Sequence, residues 1–190
     1  IQEITVSLQP LGTEYCDQLE AGLRGRWCDR YPNVGKQSGA FSSGTYDSDP
    51  YILMNFQEDV IEHVFTLAHE AGHSMHTRLS ADAQPFQYAG YTIFVAEVAS
   101  TFNEQLLTRH LLSKAHSPKQ RAAIISREID AIRGTIIRQT MFAEFERMSH
   151  SSVESGEPLT LEKIRTIYRE LLAAYFGSGF AIDEELELES

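Results

Sequence analysis

The sequence predicts a mainly α-helical fold with one small antiparallel β-hairpin. Three observations predict it. Apolar residues recur at helical spacing along most of the chain. One stretch alone, residues 39–56, has the short apolar runs and turn residues of a hairpin. Clear helix punctuation follows at Ser117-Pro118, Thr160 and Gly177.

Taken in order, residues 10–30 read as a helix on Leu11, Tyr15, Leu19 and Leu23. Arg30 to Lys36 is a turn-rich link. Gly39-Ala40-Phe41-Ser42-Ser43-Gly44-Thr45-Tyr46 and Tyr51-Ile52-Leu53-Met54-Asn55-Phe56 form the hairpin, with Asp47-Ser48-Asp49-Pro50 as its turn. Helices are expected at 58–80 and 92–114. A third starts at Ser117, an N-cap with Pro118 at the first helical position, and runs to 149. Gly156 and Pro158 mark a loop. Thr160 caps a last helix with a stripe of Leu161, Ile164, Ile167, Tyr168, Leu171 and Leu172, ended by Gly177 and Gly179.

The chain has 190 residues, 42% hydrophobic and 23% charged, enough to bury a core. Its net charge of -11 argues against a nucleic-acid groove, which needs a basic stripe. Much of the acid lies in the run from Asp183 to Glu189. No apolar run approaches the roughly 18 residues of a membrane span. Ile1-Gln2-Glu3-Ile4 has no signal-peptide pattern, and a chain that does not begin with Met is expected to be a processed or excerpted piece. Cys16 and Cys28 make no disulfide framework. They are expected to be reduced thiols of a cytoplasmic protein, a single bridge between them being the alternative.

The chemistry is concentrated in Thr66-Leu67-Ala68-His69-Glu70-Ala71-Gly72-His73. Residues four apart share a helix face, so His69 and His73 can reach one metal ion, while Glu70 can point at a water in the open position. This is the arrangement of a zincin-type catalytic core. Val60, Val64, Leu67 and Ala71 form an apolar stripe; the two histidines project from the other side with Phe65 and His76, which is expected to line a cleft. Gly72 is a poor interior helix residue, explained either by close approach of another backbone or by simple tolerance.

A zinc ion held by two histidines needs a third protein ligand. The residue six beyond His73 is Leu79, so no third histidine follows at the expected spacing. Glu97, a carboxylate set between Ala96 and Val98, is the better candidate. Glu104, seven residues on, either orients a ligand histidine or is a plain surface carboxylate. His76 is expected to support the site from behind or to pack in the core, because catalysis needs an open coordination position. His63, His110, His116 and His150 read as surface or core histidines, and nothing gives Tyr88 or Tyr91 a role.

These segments, with Pro50 to Asn55, Phe65 to His76, Ala96 to Glu104 and Arg133 to Glu146, resemble the oligoendopeptidase F branch of the thimet oligopeptidase-like zinc metallopeptidases. The matching segments occur in family order across most of residues 25–180. The resemblance implies a largely helical fold with a zinc ion at the floor of a deep channel, one per chain, and cleavage of short peptides. It implies His69, His73 and Glu97 as ligands and Glu70 as general base. Ala40, Ser42, Gly44 and Tyr46 would flank the substrate and offer backbone groups to an extended peptide. It also implies that residues 1–190 are a single partial catalytic domain of a longer enzyme. The N-terminal helical lobe, and a segment after Glu189 whose histidine and tyrosines contact the substrate carbonyl, are outside it. The alternative is a metal-binding fragment that is inactive without those segments or another chain.

Overall fold

This computed structural model describes residues 1–182, so the acidic run at 183–189 lies outside the described residues. The described residues fall into two compact units, one covering residues 1–121 and one beginning at Ala122.

The first unit opens with helix α1 (Gln2–Ser7), a 3₁₀ turn (Gln9–Leu11) and α2 (Thr13–Arg24). The single helix expected over 10–30 is therefore shorter, with Gly12 and Gly25 at its two caps. Gly12 has φ of +98°, which a helix cannot continue through. The α1 helix carried too short a pattern to be read from periodicity. Ile4, Leu8, Cys16, Leu19 and Leu23 are all but fully buried, and they meet Trp27, Ile52, Met54, Phe65, Leu67, Ala68, Ala71, Met75 and Leu107 in one core. Each buried leucine or phenylalanine contributes about 1.5–3 kcal/mol.

The hairpin is present as β2 (Phe41–Ser43) and β3 (Tyr51–Leu53), antiparallel, with Ser42 opposite Ile52. A strand not expected from the sequence, β1 (Cys28–Asp29), adds to β3 in parallel and makes the sheet mixed, in the order β1-β3-β2. Two residues are too few for period-two patterning to register. The Ile52 and Met54 N–H groups donate to the Trp27 and Asp29 carbonyls, so this side of β3 belongs to β1. Tyr51 and Leu53 must then pair with Ser43 and Phe41, which turns the backbone groups of Ser42 to the free edge of β2. Cys16 and Cys28 are both free thiols.

Two long helices hold the unit together, α3 (Ile61–Ala83) and α4 (Ile93–Lys114). Their close approach centres on Gly72. A Cβ there would lie 2.6 Å from Ser100 Cα and 2.8 Å from the Ala99 carbonyl oxygen. Asn103, 1% exposed, ties the pair by donating from its side-chain amide to the Ala68 carbonyl at 3.2 Å. The α3 helix is covered more fully than an amphipathic reading expects. Phe65, on the histidine side, is in the core rather than in a cleft. No helix among the described residues is long and apolar enough to cross a membrane.

The second unit contains most of α5 (Pro118–Ile132), a π-helical turn (Arg133–Ile137), α6 (Arg138–Glu154) and α7 (Leu161–Phe176). Ser117 caps α5 as expected: its hydroxyl accepts from the Gln120 N–H at 3.2 Å, and Gln120 accepts from the Ser117 N–H at 3.1 Å. The long helix is continuous in path but changes winding at 133–137. Gly134 is a weak helix former, and the β-branched Thr135, Ile136 and Ile137 crowd the turn. Thr160 caps α7 through Lys163 N–H, and Gly177 ends it with φ of +75°. Met141, Ile167, Tyr168, Leu171 and Leu172 form this unit's own core.

Candidate active site

The site is built on α3 and α4 within the first unit. One turn of α3 separates His69 from His73, and their Nε2 atoms converge to 3.1 Å. The α4 helix crosses at Gly72 and brings Glu97 to them: its Oε2 is 3.3 Å from His69 Nε2 and 3.5 Å from His73 Nε2. The close approach that Gly72 permits is thus what assembles the three groups. The sequence left that approach open beside mere tolerance; the geometry favours approach.

These three atoms fit a metal ion. A tetrahedral ion with bonds of about 2.0–2.2 Å needs ligand atoms about 3.3–3.6 Å apart, close to the triangle observed. Two imidazole nitrogens and a carboxylate oxygen at such distances repel one another unless a proton or cation lies among them. Among the described residues, these three form the one cluster of metal-ligating side chains with this convergence.

Neighbouring groups fix the ring orientations. His69 Nδ1 is 2.7 Å from Glu104 Oε1, so the Nδ1 proton is donated to the carboxylate and Nε2 faces the cluster. Burial disfavours the His69 imidazolium, but Glu104, with Glu70 and Glu97, outweighs it and raises its pKa. At His73 burial prevails and the pKa is lowered, against the pull of Glu97 and of the Ala96 carbonyl. Ser100 donates to Glu97 Oε2 at 2.9 Å, steadying the third carboxylate.

Glu70, 7% exposed, stands on the side of α3 that faces β2. The Ser42 backbone N–H faces its carboxylate and favours the charged form. Burial, with Glu97 and Glu104, raises its pKa, while His69 and that N–H oppose the shift. The Ser42 hydroxyl is 2.8 Å from the Ser74 hydroxyl. Gly44 lies against Thr77 and Pro50, Ala40 packs at the edge of the core, and the Tyr46 hydroxyl donates to the Gln84 carbonyl at 3.0 Å.

His76 is placed differently from the ligand pair. It stacks on Tyr91 with ring centroids 3.8 Å apart, and its buried Nδ1 has no hydrogen-bond partner among the described residues. The Tyr91 hydroxyl is 2.7 Å from Thr77 Oγ1, so Tyr91 closes the turn of chain after α3. Tyr91 and Ser42's backbone N–H are the contacts the sequence did not disclose. His63 accepts from the Gln57 N–H, and His110 pairs with Glu3, both away from the cluster.

A family profile described as Peptidase family M3 matches residues 8–189. The chain belongs to this family. Oligopeptidase PepF of Bacillus subtilis is 50% identical over 182 residues, covering 96% of this chain and 27% of that protein. An oligoendopeptidase F homolog of Borreliella burgdorferi is 45% identical over 189 residues, covering 99% of this chain and 32% of its own length. A crystal structure described as a peptidase from Chlamydophila abortus superposes with a TM-score of 0.83 at 43% identity, over 99% of this chain and 32% of that one. A Bacillus anthracis structure described as an oligoendopeptidase F shares the fold with a TM-score of 0.72 at 17% identity. The chain thus spans about a third or less of the length of the M3 relatives it matches.

Proposed function

We propose that this chain carries the zinc centre of an M3 peptidase that hydrolyses short peptides. The observation that carries the reading is the 3.1–3.5 Å triangle of His69 Nε2, His73 Nε2 and Glu97 Oε2, with the Glu70 carboxylate one residue away on the same helix. His69, His73 and Glu97 would hold the ion. When bound, zinc polarises a scissile carbonyl and lowers the pKa of a water toward about 7.

The chain's own residues then divide the work. Glu70 takes the proton from the attacking water and passes it to the leaving amine. Glu104 holds the His69 ring with Nε2 forward. Ser42, on the free edge of β2, leaves its carbonyl open to an extended peptide, in the manner of strand addition. Short peptides rather than nucleic acids suit a chain with a net charge of -11.

A second reading is favoured by the share of the relatives' length that the chain spans. In it the metal binds here, and turnover needs residues from elsewhere in a longer polypeptide. The deciding experiment combines metal analysis with cleavage of a quenched short peptide, with and without chelator. One zinc per chain with chelator-sensitive cleavage supports the first reading. Zinc without cleavage supports the second. No metal, even after zinc is added back, removes both.

A further inference from the structure

Three groups of α3 face the sheet edge in succession: Glu70, Ser74 one turn later, and Thr77 beyond it. Ser42 meets the first two at once. Its backbone N–H faces the Glu70 carboxylate and favours the charged form, and its hydroxyl lies 2.8 Å from that of Ser74. Ser74 is fully buried. Ser42 is half-buried, so losing its hydroxyl leaves the buried Ser74 hydroxyl short of a partner.

The strand context makes this pairing consequential. Since β2 is the edge strand and Ser42 is opposite Ile52, its N–H points away from the sheet and has no ladder partner. Nothing in the sheet fixes how far that N–H stands from α3. The Ser42–Ser74 contact does. Gly44 continues the close approach: a Cβ there would meet Thr77 Cγ2 at 3.1 Å.

We propose that Ser42 and Ser74 are a positioning pair for the reaction, clamping β2 to α3 so that the Ser42 N–H holds one oxygen of Glu70 and leaves the other aimed at the attacking water. The pair touches neither substrate nor metal. It acts through the direction of the Glu70 carboxylate, and a small misplacement of such a group costs up to about a hundredfold in rate. The inference rests on Glu70 being the general base.

The test uses Ser74→Ala, Ser42→Ala, the double variant and Ser42→Thr, which keeps the hydroxyl. In the peptidase-active protein, kcat should fall about 10–100-fold in both single alanine variants, with KM and bound zinc unchanged. The double variant should be no worse than either single one. Ser42→Thr should retain most of the activity. Unaltered kcat in the alanine variants would overturn the proposal, as would a fall in kcat that tracks loss of zinc. A second measurement does not depend on turnover. Amide exchange at Ser42, followed by NMR, should be slow in the native protein and faster in Glu70→Ala and Ser74→Ala. Equal exchange in all three would sink the pairing even in an active enzyme. A protein that binds zinc, protects Ser42 and cleaves nothing would leave the clamp standing and count against the peptidase reading alone.

Discussion

Nδ1 of His69 lies 2.7 Å from Oε1 of Glu104, on the helix that also carries Glu97. One helix therefore supplies both a candidate ligand and the group that aims another. The Glu104 side chain is 19% exposed and that of His69 27%, so solvent screens the contact only in part. Glu104→Ala should weaken metal binding about 10–100-fold by freeing the His69 ring, and Glu104→Gln should cost less because an amide oxygen can still accept. Competition against a chromophoric chelator measures this. Equal affinity in all three proteins would mean that the contact does not organise the ligand.

Glu70 touches the cluster electrostatically without being one of its three converging atoms. Glu70→Gln keeps the shape, and the Ser42 N–H can still find an oxygen on the amide. Bound metal should remain at the native level while peptide cleavage falls about 10²–10⁴-fold, the range of a lost general base. A fully active glutamine variant would remove Glu70 from the mechanism.

The parts of this site that the sequence revealed are those carried by side-chain spacing. His69 and His73 stand four apart on one helix, and a glutamate among alanine and valine at position 97 is conspicuous in itself. The Ser42 contact was hidden because a backbone N–H has no residue type to mark it. Its direction follows only from the strand order, and β1, two residues long, sets that order. Phe65 projects from the histidine side yet lies in the core, because helical projection says which side a residue faces, not what covers it. The π-helical turn at 133–137 left a faint trace in Gly134 and its β-branched neighbours, within a segment whose overall pattern is helical.

Gly72 gives a sharper prediction. Its missing Cβ would strike Ser100 Cα, Ser100 N and the Ala99 oxygen within 2.6–2.8 Å, all backbone atoms that cannot rotate aside. Gly72→Ala should push α4 off α3, destabilise the fold by about 1–3 kcal/mol, and weaken metal binding because Glu97 moves with α4. Gly90→Ala is the control: a Cβ there meets nothing within 4 Å. Urea titration of the metal-free proteins, followed by chelator competition, separates the two effects. A Gly72→Ala protein as stable as the Gly90→Ala control would contradict the close packing of the helices.

The N-terminal helix is fastened to α4 by Glu3. Both its carboxylate oxygens lie 2.9 Å from Lys114 Nζ, and Oε2 is 3.0 Å from His110 Nε2. The bond to Lys114, then that to His110, lowers the Glu3 pKa below its ordinary 4.5. A carboxyl depressed in the folded state stabilises the fold above its unfolded pKa. That contribution is lost as pH falls from about 4.5 through the lower folded value. Glu3 is 50% exposed on its side chain, so solvent holds the effect to within about 1 kcal/mol. The urea midpoint of the native protein should therefore drop more than that of Glu3→Gln between neutral pH and about pH 3.5, and the gap should narrow in high salt. Parallel curves at low salt would show that the contact is too solvated to tie α1 down. In that case the buried Ile4 and Leu8, rather than the ion pair, would anchor the amino-terminal helix.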